Sequence, residues 1–168
     1  MSAILIRNGR IEADDYLPLA DDAALPASGR VIVSHARWLA EGPALLASGL
    51  AVGVAIPNTV DVAALLPALA ERPLLALDFP SFADGRAYSQ ARLLAEHYRY
   101  AGELRATGKA VVRDQIGFMV RCGFTSFSLR DGQDAAACLQ AIHEFSLAYQ
   151  PAADTLEPVL LRRRRSAA

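Results

Sequence analysis

Short apolar runs with the composition of β-strands alternate with helix-like runs between Leu50 and Tyr149. The strand-like runs are Leu50–Ile56, Leu74–Phe79, Glu103–Ala106 and Phe124–Leu129, and the helix-like runs that follow them are Val60–Ala70, Ala87–Tyr98, Arg113–Cys122 and Gln133–Tyr149. Four successive β-then-α units predict a mainly parallel sheet with right-handed crossovers. They are too few for a complete eight-unit barrel, so we expect a partial (β/α) barrel or an open α/β sheet.

The N-terminal segment has the pattern of a β-hairpin. Asn8-Gly9 separates the short runs Ala3–Arg7 and Arg10–Asp15, and Asn-Gly favours a tight hairpin turn. Leu17–Arg30 is a polar connection, Val31–Val33 is a brief strand, and Ser34 is the predicted N-cap of a helix that Gly49 ends. We predict a single α/β domain over residues 1–150 and a C-terminal tail with a basic end over residues 151–168.

The composition is that of a globular protein and excludes several classes. The chain has 168 residues, of which 53% are hydrophobic and 21% charged, which suits one domain with a substantial core. Arg162–Arg165 supply four positive charges to a chain of net charge −1, so the remainder is acidic. An acidic body with 7% aromatic residues argues against a nucleic-acid binder. The arginine run is either a solvated terminus or a docking arm for an acidic partner.

The two cysteines, Cys122 and Cys138, do not have the spacing of a metal site. They are expected to be reduced thiols in a cytoplasmic protein. No apolar run approaches the roughly 20 residues of a membrane helix, so no membrane association is predicted. There is also no iron–sulfur cysteine set and no flavin or nicotinamide fingerprint. The cofactor is therefore left open, and no metal is predicted.

Charged and polar residues recur where the predicted strands end. In an alternating β/α fold these positions meet at one rim, at the carboxyl ends of the parallel strands, where such folds bind ligands. The residues that this rule gathers are Asp78, Asp84, Arg86, Arg105, Arg113, Asp114, Gln115, Arg130 and Asp131. The rim is thus the predicted site of a small anionic ligand.

Arg86 and Arg105 are the candidate ligand-binding cations. Arg86 follows Asp84-Gly85 between a strand and a helix, where a guanidinium can hold a carboxylate, a phosphate or a sulfur oxyanion in bidentate fashion. Arg105 is expected to reach the same rim from the end of its strand. The alternatives are structural: Asp84 caps the helix and pairs with Arg86, and Arg105 forms an ion pair.

Asp84 and Asp114 are the candidate catalytic residues, as orienting or proton-transfer groups. Asp114 also suits the positive end of a helix dipole, which is a capping role. Gln115 is a candidate hydrogen-bond partner for the ligand, and Tyr88 could donate a proton to it. Tyrosines at helix boundaries also pack and hydrogen-bond without taking part in chemistry.

Three segments carry a family resemblance: Phe79–Ser89, Tyr100–Gly108, and Arg113–Gln115 with Arg121–Phe124. They resemble a bacterial family of unknown function whose members are commonly encoded beside assimilatory sulfite reductase and are labelled as oxidoreductases of sulfite reduction. The resemblance covers most of the chain. In the family pattern an acidic residue often follows the glycine at position 108, where this chain has Lys109.

The resemblance implies a role in sulfur assimilation, either as an oxidoreductase or as an auxiliary protein of sulfite reduction. The alternative is a non-catalytic accessory protein that binds sulfite reductase or another enzyme of sulfur assimilation. A deep pocket at the rim would favour the enzyme, whereas a filled rim with an exposed apolar patch elsewhere would favour the accessory protein.

Overall fold

The computed structural model describes residues 4–154 and 156–166. In chain order its strands are β1 (Ile4–Arg7), β2 (Arg10–Ala13), β3 (Tyr16–Pro18), β4 (Arg30–Ser34), β5 (Ala51–Ile56), β6 (Leu74–Phe79), β7 (Glu103–Gly108) and β8 (Ser126–Ser128). Its helices are α1 (His35–Ala47), α2 (Val62–Leu69), α3 (Arg86–Arg92), α4 (Arg113–Arg121), α5 (Ala135–Ala141) and α6 (Val159–Ser166). Helix α3 continues into a π-helical turn over Leu93–His97.

The strands form one sheet in the order β2-β1-β8-β7-β6-β5-β4-β3. Strands β3 to β8 are parallel and lie side by side in chain order, and β1 runs antiparallel to both β2 and β8. Because each parallel strand pairs with the next one along the chain, the connecting helices pack on the same face of the sheet. This confirms the predicted α/β fold with a parallel sheet and an N-terminal hairpin.

The sheet is curled into a half-barrel. Strands β2 and β3 lie at its two edges, yet Ala13 and Tyr16, which end one and begin the other, are only three residues apart. Three extended residues span at most about 11 Å. The chain therefore holds the two edges close together where β2 ends and β3 begins.

The two faces of the sheet have different contents. Side chains on the helix side, such as Val33, Val54 and Leu75, belong to the main apolar core. The inner face carries a smaller apolar cluster around Leu74 and Ala76. Gly53 leaves room for the Leu74 side chain of this cluster, because a Cβ at position 53 would lie 2.8 Å from a Leu74 methyl carbon. On the same inner face, Arg105 lies in the amino half of β7 and Asp78 lies near the carboxyl end of β6.

Two sequence predictions are corrected by the structure. Strand β3 forms within the predicted polar connection, because the short β2–β3 link places it beside β4. The helix predicted over Gln133–Tyr149 is limited to Ala135–Ala141, and Phe145 and Tyr149 beyond it are 71% and 74% exposed. A helix needs an apolar face packed against the core, and these residues have no such packing. The predicted C-terminal tail contains α6.

In the described part of the chain, no helix is both long and apolar enough to cross a membrane.

Candidate functional site

Five polar side chains gather at the carboxyl ends of β5, β6 and β7 and in the loops that follow. We call Asn58, Asp78, Asp84, Arg86 and Lys109 the rim cluster. Asp78 follows Leu74 and Ala76 at alternate positions of β6, so it faces the inside of the half-barrel. Lys109 comes directly after β7, and its backbone N–H donates to the Phe79 carbonyl over 2.8 Å. The rim cluster thus depends on three neighbouring strands.

Asp84 and Arg86 form the most ordered pair of the cluster. Arg86 Nε donates to Asp84 Oδ1 over 2.9 Å and Arg86 Nη2 donates to Oδ2 over 2.6 Å. The bidentate arrangement leaves Nη1 of Arg86 without a hydrogen bond in the described structure, and 57% of the Arg86 side chain is exposed. Arg86 holds the pKa of Asp84 far below its usual range, so the Asp84 carboxylate stays charged.

Asn58 is buried between this pair and the core. It is 7% exposed, and its loop is fixed by Gln90, whose Nε2 donates to the carbonyls of Pro57 and Val60. The Asn58 amide is close enough to Asp84 to contribute to its lowered pKa. Its Nδ2 nevertheless makes no hydrogen bond of standard geometry with the part of the chain that the structure describes. A buried amide donor without a partner is uncommon in folded proteins and here lies beside a charged pair.

Asp78 is half-buried and makes no hydrogen bond or ion pair within the described residues. Burial raises the pKa of its carboxyl, the nearby charge of Asp84 raises this pKa further, and Lys109 opposes both effects. Gly108 provides the space for this carboxyl. Its φ is +100°, and a Cβ there would lie 2.6 Å from Asp78 Oδ1. Asp78 is therefore a carboxyl group suited to gaining and losing a proton.

Arg105 does not join the rim cluster. It is 1% exposed in the amino half of β7, where its guanidinium pairs with Asp14 over 2.8 Å and with Glu103 over 2.8 Å and lies over the Tyr16 ring. The expected placement of Arg105 at the carboxyl rim is thus wrong. The reason is tertiary, because the β2–β3 link brings Asp14 to the opposite end of the inner face.

Tyr88 and Gln115 lie together in the helix layer. The Tyr88 hydroxyl donates to Gln115 Oε1 over 2.6 Å, and its ring packs edge-on against Phe79. Burial raises the pKa of Tyr88 to about 12, so its hydroxyl keeps its proton at neutral pH. Both residues line a cleft of about 520 Å³ between α3 and α4, together with the half-buried thiol of Cys122.

Asp114 is separate from both groups. Its side chain is 77% exposed in the first turn of α4, and its nearest ion-pair contact is with Arg113 at 3.7 Å. It lines a groove of about 270 Å³ with Phe118 and Phe145. Its role as an orienting or proton-transfer residue stays a prediction.

The sequence thus predicted Asp78, Asp84 and Arg86 at the rim and singled out the last two as site residues, but it gave no indication of Asn58 or Lys109. The inner-face alternation of Leu74, Ala76 and Asp78 was a usable signal for Asp78. Asn58 and Lys109 are single turn residues, which carry no periodic signal. Within residues 4–154 and 156–166 there is no group of three or more His, Cys, Asp or Glu side chains that could hold a metal ion.

No curated protein and no solved structure matches the chain. A family model does match, over residues 53–160, and this region contains β5 to β8 and the whole rim cluster. The matched region is more than half of the 168 residues. The chain therefore belongs to the bacterial protein family of unknown function DUF934.

Proposed function

We propose that the protein acts in assimilatory sulfite reduction, as an oxidoreductase or as an auxiliary protein, and that it binds a small oxyanion at the rim cluster. The pathway rests on the family resemblance, and the family itself is matched over residues 53–160. The segments that carry the resemblance also surround the site. Phe79–Ser89 contains Asp84 and Arg86, and Lys109 directly follows Tyr100–Gly108.

The observation that carries the proposed site is the arrangement of charge at the rim. Arg86 is oriented by Asp84, its Nη1 makes no hydrogen bond to any described residue, and Lys109 is close enough to Asp78 to lower its pKa. One cation beside a carboxyl of raised pKa and a second cation on the neighbouring Asp84 can bind an oxyanion, with which the carboxyl of raised pKa can exchange a proton. Arg105, buried in ion pairs at the amino end, has no part in this site.

Growth of a deletion strain tests the pathway. We expect poor growth on sulfate or sulfite and normal growth on sulfide or cysteine. Arg86→Ala and Lys109→Ala should fail to restore growth on sulfate, because losing a charge-assisted hydrogen bond costs about 1.5–3 kcal/mol, or about 10- to 150-fold in affinity. Arg10→Ala, which alters an exposed arginine on β2, should restore it.

Two outcomes would contradict the proposal separately. Normal growth of the deletion strain on sulfate, in the absence of a redundant gene, would remove the pathway. Full complementation by both rim variants, at equal soluble protein levels, would remove the site. Purified protein given sulfite and a reduced electron donor separates the two roles: turnover without sulfite reductase supports an oxidoreductase, and an effect only in its presence supports an auxiliary protein.

The accessory role is favoured by one further observation. Phe118, Phe145 and Tyr149 are 62%, 71% and 74% exposed on and after α4 and α5. Phe118 and Phe145 line the same groove. Neighbouring exposed aromatic side chains are typical of protein-binding surfaces. This second candidate function is an accessory protein that binds sulfite reductase or another sulfur-assimilation enzyme through this surface.

Binding of purified sulfite reductase tests the accessory role. Changing Phe118 and Phe145 together to serine should weaken binding at least about 10-fold, because buried aromatic anchors dominate interface energies. Leu39→Ser is the matched control, since Leu39 is 65% exposed on α1, away from this surface. Equal affinity of the double variant and the control would argue against this surface.

A further inference from the structure

The two carboxyl groups of the rim cluster have opposite surroundings. Asp84 accepts two side-chain hydrogen bonds from Arg86 and one from the Arg86 backbone N–H over 3.3 Å. Asp78 accepts none within the described structure and is half-buried. Two neighbouring acids whose surroundings differ in this way divide their roles, one remaining charged and the other carrying the exchangeable proton.

The backbone around Asp78 is specialised for this carboxyl. Gly108 has a φ of +100°, a conformation that side-chain-bearing residues rarely adopt. A Cβ at that position would also meet the Phe79 carbonyl oxygen and Asp78 Oδ1. Glycine at position 108 thus lets the turn after β7 pass close to this carboxyl, which makes no hydrogen bond within the described residues. The charged groups that act on Asp78 are Asp84, from the loop after β6, and Lys109, from the loop after β7.

We infer that the rim cluster takes up an oxyanion together with a proton, and that Asp78 carries this proton. The inference rests on the proposed function, because it assumes that the oxyanion binds at the rim. Arg86 and Lys109 supply the positive charge. A charged Asp78 would repel the anion, whereas a neutral Asp78 can donate a hydrogen bond to it.

Binding of the oxyanion requires no reactant other than one proton from solvent. The Asp78 carboxylate takes one proton from solvent as the anion enters, and no bond in the anion forms or breaks. Asp84 does not take the proton, because its two oxygens are held by the Arg86 guanidinium. The ligand class is a small oxyanion of sulfur, with sulfite and sulfate as the probes.

Calorimetric titration with sulfate tests the inference, because sulfate itself gains no proton between about pH 5 and pH 8. Titrations in two buffers of different ionisation enthalpy measure the protons taken up on binding. For the unaltered protein we expect uptake approaching one proton and an affinity that falls up to about 10-fold per pH unit above the pKa of Asp78. Asp78→Asn should bind with no proton uptake and no such pH dependence.

Two control variants separate this role from general electrostatics. Glu71→Gln removes an exposed acid between α2 and β6, away from the rim cluster, and should keep the proton uptake. Lys109→Ala should bind sulfate about 10-fold or more weakly and still take up the proton, since Asp78 remains. Asp78 can also be followed in the free protein by the NMR shift of its carboxyl carbon, which should titrate at higher pH in Lys109→Ala.

The outcomes are distinct from those that test the proposed function. Sulfate binding without proton uptake, or uptake that persists in Asp78→Asn, overturns the inference and leaves the oxyanion site standing. Failure of both sulfate and sulfite to bind overturns the oxyanion site and the inference together. Proton-linked binding combined with normal growth of the deletion strain would keep the inference and remove only the pathway.

Discussion

At the scale of single residues, the rim cluster shows how surroundings divide chemically identical groups. Asp78 and Asp84 are both aspartates near the end of β6, yet the pKa of Asp84 is lowered by Arg86 and the pKa of Asp78 is raised by burial. The hydrogen bonds of Arg86 stabilise the charge of Asp84, whereas burial disfavours the charge of Asp78, which makes no hydrogen bond within the described residues. We therefore expect Asp78 to exchange a proton at the rim and Asp84 to remain charged.

Asp78→Asn should stabilise the protein at neutral pH. Because the folded-state pKa is raised, the stability that Asp78 contributes is fully present below the pKa of an unfolded aspartate and is lost as pH rises through the folded pKa. An asparagine avoids this loss, so the melting temperature should rise on the order of 2 °C at pH 7.5 and much less at pH 4. Calorimetric melting at both pH values measures it, with Asp22→Asn, in the exposed β3–β4 connection, as the control. A lower melting temperature at pH 7.5 would contradict the expectation.

Cys122 should react slowly with alkylating reagents. Burial raises the pKa of its thiol, which leaves little reactive thiolate at neutral pH. Iodoacetamide labelling of the folded protein at pH 7.5 should be slower than labelling in urea and should accelerate as pH rises. The site of labelling is identified by mass spectrometry. Labelling of Cys122 as fast in the folded protein as in urea would show that the thiol is activated.

At the scale of elements, the turn between β7 and α4 links the fold to the site. Its first residue after the strand is Lys109, and its geometry depends on Gly108 at φ +100°. The sequence predicted β7 as Glu103–Ala106, whereas the strand extends to Gly108 because Asp78 and Phe79 of β6 pair with Thr107 and Gly108. The additional pairing brings Lys109 to the rim.

Gly108→Ala should destabilise the protein more than Gly132→Ala. Both glycines have positive φ, but a Cβ at Gly132 meets nothing within 4 Å, while one at Gly108 meets the Phe79 carbonyl and Asp78. Both variants carry the backbone strain, so their difference measures the steric conflict. We expect a difference of about 1–3 kcal/mol in the free energy of unfolding, measured by urea denaturation. An equal loss of unfolding free energy in the two variants would mean that the turn at Gly108 accommodates a Cβ without a steric penalty.

At the scale of the whole molecule, a largely buried ion network connects β1 and β7 with the β2–β3 link of the half-barrel. Arg105 on β7 pairs with Asp14 in the β2–β3 link, and Glu103 pairs with both Arg105 and Arg7 of β1. The Ser126 hydroxyl also donates to Glu103, over 2.5 Å. The network fills the amino end of the inner face, whereas Asp78, near the carboxyl end, makes no hydrogen bond or ion pair within the described residues. The conserved geometry of parallel β/α folds assigns stability to the first end and ligand binding to the second.

Arg105→Ala should therefore affect stability rather than the site. It leaves the carboxylates of Asp14 and Glu103 buried without their main partner, which costs about 3–5 kcal/mol in the free energy of unfolding. Arg10→Ala, on the exposed strand β2, should leave the free energy of unfolding close to its original value. Urea denaturation measures both. A loss in Arg105→Ala no larger than that in Arg10→Ala would show that the network adds nothing.

The sequence by itself determined the alternation of strands and helices, the Asn8-Gly9 hairpin and the Asp84–Arg86 pair. Each depends on residues that are close in the chain, so periodicity, turn chemistry and neighbouring charge suffice to predict it. Only the tertiary structure decided that Arg105 binds Asp14, 91 residues away, at the amino end. It also decided that Asn58 and Lys109, in the loops after β5 and β7, join Asp78 of β6 at the rim. The Arg105–Asp14 contact depends on the short β2–β3 link, and the rim grouping depends on the side-by-side pairing of β5, β6 and β7. Neither is a local pattern, because each involves segments that are far apart in the chain.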